Sequence, residues 1–275
     1  MATTPTRKQV PQGYGRTSRR YVTPAGEMDS VTSILNVLSK PALVVWSANL
    51  ERDYVVNIAA DVWDEARDTG QTTLPRSFYV STLLQRLGPK KAHQLALATA
   101  ADIGSQTHAR IEWHLRRELG RPVGPEPPVE DAALWAFMAY EDWRKAVSLK
   151  PRAVEQVVWS ATHRYAGTLD CFADALLPDH GACTLVVDWK SGKGIYDEAL
   201  LQSVAYVRAL CELGLATPPV YGCIVRVPKV ETDPAFEVRV IPPAEQAELF
   251  AAFLSIKDVW DWTQRQAARR RELTA

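Results

Sequence analysis

Apolar and polar positions alternate with two different periods along this chain, and the change falls near Pro151. Before it, apolar residues recur at spacings of three and four, which predicts amphipathic helices. The segments run from about 31 to 39, 41 to 67, 75 to 87, 89 to 118 and 129 to 148. Pro41, Gly70, Pro75, Gly88 and the proline-rich stretch GRPVGPEPP at 120 to 128 break them apart. Upstream, YVTPAGEMDSVTSIL reads as a short extended segment or hairpin that ends at a helix N-cap, Asp29 or Ser30.

After Pro151, short runs rich in Val, Leu, Ile and aromatic residues predict strands in AVEQVVWS, YAGTLDCFADALL, CTLVVDWK, VYGCIVRV and AFEVRVI. An amphipathic helix, YDEALLQSVAYVRALCELG, separates the third from the fourth, and a last helix spans about 243 to 266. The expected architecture is an α/β core, helices packed on a mixed sheet, behind a mostly helical N-terminal half. Three regions follow: a basic arm at 1–29, a helical region at 30–148 and the α/β core with its basic tail at 149–275.

Composition adds limits. The 275 residues, 47% of them hydrophobic, suffice for a large core. No run of about 18 apolar residues occurs and the first twenty residues hold no apolar stretch, so the expectation is a soluble, cytoplasmic protein with no membrane partner. Thirty-two basic residues balance thirty-two acidic ones, yet the distribution is uneven. Arg7, Lys8, Arg16, Arg19 and Arg20 precede the first acid, and Arg265, Arg269, Arg270 and Arg271 crowd the other end. Such ends serve either as phosphate contacts or as solvated tails. The four cysteines form no C-x-x-C pair and read as buried reduced thiols.

The stretch VVDWKSGKG looks at first like a phosphate loop. Aligning Gly192-Lys193 with the Gly-Lys of G-x-x-x-x-G-K-[ST] puts Val187 where the first glycine belongs and Gly194 where a hydroxyl belongs, so that reading fails. As a strand, it places Asp188 and Lys190 on one face. The turn Pro178-Asp179-His180-Gly181 predicts a hairpin pairing positions that sum to about 358, which sets Asp170 opposite Asp188. Two carboxylates so placed repel unless a divalent cation lies between them, and spacing alone leaves open that both lie on the wet face of a hairpin. Lys190 beside them could hold or activate water, or be an exposed lysine at a strand end. His108 shares a helix stripe with Ala101, Gly104, Ile111 and Leu115, which suits either a core histidine or a metal ligand, and Gly104 would permit a close approach. Gln202 and Tyr206, four apart, share a helix face.

Taken in order, the GSQTH histidine, GTLD, VVDWKSG and QSVAY resemble the PD-(D/E)XK nuclease superfamily and, within it, the RecB-like exonucleases of the single-domain phage and mitochondrial type. DSVTSILNVLSKPALVVWSAN is similar to the N-terminal segment of that group, so the resemblance covers about 30 to 227. It implies a restriction-endonuclease-like core and a metal-dependent DNA exonuclease acting at single-stranded or free ends in recombination, replication or repair, located in the host cytoplasm for a phage-encoded member. His108, Asp170, Asp188 and the backbone carbonyl of Trp189 would ligate Mg2+ or Mn2+. Lys190 would activate water, and Gln202 and Tyr206 would line the site and contact DNA together with Lys193. Glu155 takes the place of a supporting acid. The cysteine spacing departs from that of cluster-bearing relatives, so no iron-sulfur cluster is expected. Trp46 and Trp113 are candidates for base stacking. The alternatives are a structure- or site-specific endonuclease of the same fold and an inactive DNA-binding module.

Overall fold

A computed structural model of the chain describes residues 6–12, 16–38, 40–70, 73, 75–228 and 236–274. Its centre is the hairpin expected from the Pro178–Gly181 turn, β5 (Tyr165–Leu177) with β6 (Gly181–Lys190). The ladder runs from Leu177↔Gly181 through Asp174↔Thr184 to Cys171↔Val187. Each of these pairs sums to 358, the register the turn predicts. Turn chemistry sets the register because a slip of one residue would turn every apolar side chain of β6 to the wrong face.

Around this hairpin lies an eight-stranded mixed sheet in the order β1-β2-β3-β5-β6-β7-β8, with β4 paired to β5 off that path. Its remaining strands are β1 (Thr6–Gln12), β2 (Arg16–Thr23), β3 (Gly26–Ser30), β4 (Lys150–Ser160), β7 (Val220–Arg226) and β8 (Glu237–Ile241). β7 runs parallel to β6, and the crossover between them is α6 (Asp197–Glu212). β4 borders β5 from Ser160↔Tyr165 to Lys150↔Asp174, so β3 and β6 must share the other edge of β5. β6 pairs with Cys171 to Leu177, whereas β3 pairs in parallel with Tyr165 and Ala166 only. Asp170 therefore lies where β5 passes from one neighbour to the other.

The arm is a correction to the sequence reading. Residues 6–12 and 16–23 are not a tail but strands paired antiparallel to each other, and β2 pairs with β3. TRKQVPQ and RTSRRYVT carry almost no apolar alternation, so nothing in their pattern announces a strand; backbone ladder bonds hold them. Residues 1–5 and 13–15 of the arm lie outside the described residues.

Of the seven helices among the described residues, six match the predicted segments, α1 (Val31–Leu35), α2 (Pro41–Asp68), α3 (Arg76–Leu87), α4 (Ala92–Glu118), α5 (Asp131–Ala146) and α6. Ser30 caps α1, its side chain accepting from the Ser33 N–H. The seventh, α7 (Pro243–Thr274), runs eight residues beyond the expected end at 266 because RQAARRRELT is made of good helix formers. Among the described residues no helix is long and apolar enough to cross a membrane.

Backbone contacts divide the chain into a unit of residues 1–38 and 104–275 and a unit of residues 39–103, with the boundary inside α4 rather than at the change of pattern near 149. The smaller unit is helical: Tyr79 OH donates to Ala59 O at 3.2 Å, Arg86 pairs with Glu65, and the Ala92 N–H donates to Glu51. In the larger unit two cores flank the sheet. Val186, Phe172 and Ile224 pack with α1, α6 and α7 on one face; Leu185, Val187 and Trp189 pack with α4 and α5 on the other. The alternation of β6 is as predicted, with even positions on the α6 face.

Candidate functional site

The site forms at the C-terminal end of β6. Asp188 is 1% exposed, and a lone carboxylate at that depth would be costly. Lys190, two residues on and on the same face, sets its Nζ 2.7 Å from Asp188 Oδ2. α6 completes the arrangement: Gln202 Nε2 donates to Asp188 Oδ1 at 2.8 Å, and Lys190 Nζ donates to Gln202 Oε1 at 3.1 Å. One turn on, Tyr206 OH accepts from Gln202 Nε2 at 3.3 Å. Gln202 thus links acid, base and phenol, which its four-residue spacing from Tyr206 allows.

Asp170 reaches the site by a distortion in two strands. Val154 and Val158 have the same parity in β4 yet belong to opposite cores, and so do Leu169 and Cys171 in β5. The facing side therefore changes between each pair. Glu155, between Val154↔Cys171 and Gln156↔Leu169, takes φ 50°, a left-handed conformation that bends a strand. On that register Asp170 is its opposite number. There the Asp170 carboxylate accepts the Trp189 N–H at 2.9 Å. Glu155 is half-buried on β4, while the Trp189 ring packs edge-on against Tyr140 and Trp143 in the core.

His108, on α4, places Nδ1 3.8 Å from Asp170 Oδ2. Its stripe mates Ile111 and Leu115 are fully buried and Gly104 is buried; the burial of Ala101 lies outside what is described. A Cβ on Gly104 would come within 2.6 Å of Ser191 Oγ, so this glycine serves close approach to the end of β6. A second glycine is tighter. A Cβ on Gly167, three residues before Asp170, would lie 2.3 Å from the Tyr206 ring.

Electrostatics follow from two acids sharing a dry place. Burial, and then the Asp188 charge, push the Asp170 carboxyl up to about 6, although His108, Lys190 and the Trp189 N–H pull the other way. Burial alone would lower the Lys190 ammonium, but Asp188 and Asp170 outweigh it and hold the group above its ordinary range. Burial drives the Tyr206 phenol well up, with both aspartates adding to it. At neutral pH Lys190 is thus a cation and Tyr206 a neutral hydrogen-bonding group.

The donors fall into two sets, His108 with Asp170, and Asp188 with Lys190 and Gln202. Among the described residues no group of three or more His, Cys, Asp or Glu side chains is spaced to hold a metal ion. Lys193 is apart from both, exposed in the turn after β6. All four cysteines are free thiols; Cys171 and Cys223 are buried, and burial pushes both well up. Trp113 is engaged, flanked by the guanidinium groups of Arg110 and Arg117 with its Nε1 donating to Gly124 O at 3.0 Å, and Trp46 is half-buried in the smaller unit.

Two residues escaped the sequence reading. Arg226, 2% exposed, ends β7 opposite Lys190 in the ladder, and its Nε donates to Gly192 O at 2.7 Å, tethering the Ser191–Gly194 turn. Its signal was an arginine closing an otherwise apolar strand. Tyr21 on β2 is 3% exposed and shares a 3.0 Å hydrogen bond with Thr168 Oγ1, two residues before Asp170. No pattern in the arm pointed to it. No protein-family model matches the chain, and no curated protein matches it.

Proposed function

We propose that the protein is a metal-dependent DNA exonuclease of the PD-(D/E)XK superfamily, RecB-like, with a restriction-endonuclease-like core, acting at single-stranded or free ends in recombination, replication or repair. One observation carries the reading: the two aspartates, the lysine, and the Gln-Tyr pair of α6 converge at the end of one strand, as a hydrolytic site for an anionic ester requires.

The donor chemistry fits a hard divalent cation. Two carboxylates and an imidazole are ligand types Mg2+ or Mn2+ accepts, and burial first and the Asp188 charge second raise the Asp170 carboxyl, two costs that a bound cation would offset. His108, Asp170, Asp188 and the Trp189 carbonyl would hold it, and the ion supplies Lewis-acid stabilisation of the phosphoryl charge and a lowered water pKa. The chain's own residues do the rest. Lys190, kept protonated by Asp188, donates to the developing charge and orients water. Gln202 fixes the positions of Asp188 and Lys190, and Tyr206, held neutral, accepts from Gln202 and keeps its own proton for a hydrogen bond to substrate. Glu155 acts through the backbone, turning Asp170 inward. Lys193 adds a cation beside the path of the phosphates.

The test is incubation of end-labelled linear and closed circular single-stranded DNA with each metal. The reading predicts that linear strands shorten from an end and circles persist. Cleavage of the circle turns the assignment to an endonuclease, and binding without cleavage of either turns it to a DNA-binding module.

A further inference from the structure

A buried arginine stands next in the ladder to the lysine of the site. Ile224 belongs to the core under α6, and Val225 and Val227 to the core under α4 and α5, so Arg226 lies on the α6 face of β7. Asp188 and Lys190 occupy the same face of the neighbouring strand, in the parallel register Asp188↔Ile224 and Lys190↔Arg226. Arg226 is 2% exposed. A guanidinium is costly to bury, and a strand end that needed only to close the core would be served by an apolar side chain.

What this arginine holds is the segment that leaves the site. The Val227 N–H donates to Lys190 O at 2.8 Å, and the chain then turns away through Ser191, Gly192, Lys193 and Gly194. Gly192 and Lys193 are exposed, and a Cβ on Gly194 would meet nothing within 4 Å. A lysine between two glycines sits on a permissive backbone, whose conformation must be fixed by contacts from outside. Two such contacts flank the turn. On one side Ser191 lies against Gly104 of α4, one helical turn before His108. On the other, Arg226 Nε donates to Gly192 O at 2.7 Å, a charge-assisted bond stronger than one between neutral groups.

We infer that Arg226 is a positioning residue for substrate: by fixing the Gly192 carbonyl it holds the Ser191–Gly194 turn in the conformation that sets the Lys193 ammonium against a phosphate of the bound strand. A lysine is a point charge on a flexible stem, so it gains from a fixed base. Arg226 itself, being buried, makes no phosphate contact; it acts through the turn. This inference rests on the nuclease reading for the choice of DNA as the ligand, not on turnover.

The test is a double-mutant cycle of Lys193→Gln and Arg226→Met in the full chain, read by the anisotropy of a fluorescein-labelled single-stranded oligonucleotide in EDTA at several salt concentrations. One phosphate contact on a single strand contributes about 0.7 to the slope of log K against log salt. Lys193→Gln should reduce the slope by about 0.7, Arg226→Met should reduce it by the same amount, and the double variant should match either single one, since both changes remove one contact. Circular dichroism verifies folding. Where Arg226→Met does not fold, Arg226→Gln, which keeps an N–H donor but is too short to hold the carbonyl, takes its place in the cycle with the same expectation. Additive losses in the double variant overturn the inference, because they make the two residues independent contacts. An unchanged slope in either single variant overturns it too, as does a wild-type chain that does not bind DNA. The nuclease reading is judged apart, by the linear and circular substrates. Coupled losses without cleavage in any metal leave the role of Arg226 standing and remove the hydrolytic assignment; cleavage without coupling removes only the role of Arg226.

Discussion

At the scale of single residues, Asp188 depends on partners that differ in kind. Lys190 neutralises it, and Gln202 satisfies its other oxygen. Removing the cation leaves a buried charge uncompensated, so Lys190→Met should destabilise the fold as well as any chemistry. The glycines give a sharper comparison. Gly167→Ala would drive a methyl into a buried tyrosine ring and should cost about 1–3 kcal/mol, read as a shift in the urea midpoint. Gly104→Ala meets only the end of the Ser191 side chain, which can turn away, so its shift should be the smaller of the two. An equal or reversed order would contradict the packing of Tyr206 on β5. The hairpin register and the strand and helix periods made the local pairs legible, Asp188 with Lys190 and Gln202 with Tyr206, whereas bringing His108, Asp170 and α6 together with them was an expectation from the resemblance and not from spacing. Arg226 and Tyr21 were not, because what places them beside the site is pairing between segments distant in sequence.

At the scale of elements, the β5–β6 register was legible to the residue, since a tight turn specifies it. The change of face in β4 and β5 was not, because period-two alternation assumes an unbroken pleat and Glu155 breaks it. A side chain in the left-handed region costs about 1–2 kcal/mol, and most when branched at Cβ. Glu155→Val should therefore be less stable than Glu155→Gly by about that amount in chemical unfolding; equal stability would contradict the bend. The far end of the same hairpin offers a pH test. Glu212 closes α6 onto the β4–β5 turn, accepting from Ser160 Oγ at 2.6 Å and from the Thr162 N–H and Oγ1. Burial would raise its carboxyl, but these donors outweigh burial and hold it below the ordinary value of 4.5. A depressed folded value contributes stability above pH 4.5 and loses it as pH falls through the folded value. Glu212→Gln should thus have a lower urea midpoint than the parent at pH 7 and converge with it in acid. A gap that persists unchanged at low pH would contradict the role given to the carboxylate.

At the scale of the whole molecule, the fold class was legible because strand-period segments after Pro151 enclose a helix-period segment, behind a run of helix-period segments. The full sheet was not, since β1 and most of β2 lie in an arm with no strand pattern, although the β2–β3 turn falls in the stretch from Tyr21 read as an extended segment or hairpin. That arm borders the candidate site, because β3 takes over the edge of β5 where β6 ends, and the candidate site lies in the gap. The central claim is that the carboxylates and lysine at this fork hydrolyse DNA. Its most direct test is the single-turnover rate of shortening of an end-labelled single strand in Mn2+ by the wild type and by Lys190→Met, both verified as folded by circular dichroism. Wild-type shortening with a loss of about a hundredfold or more in the variant is the predicted result, on the scale of removing a positioned proton-transfer or charge-stabilising group. Equal rates in the two proteins, or no shortening by the wild type, would contradict the claim.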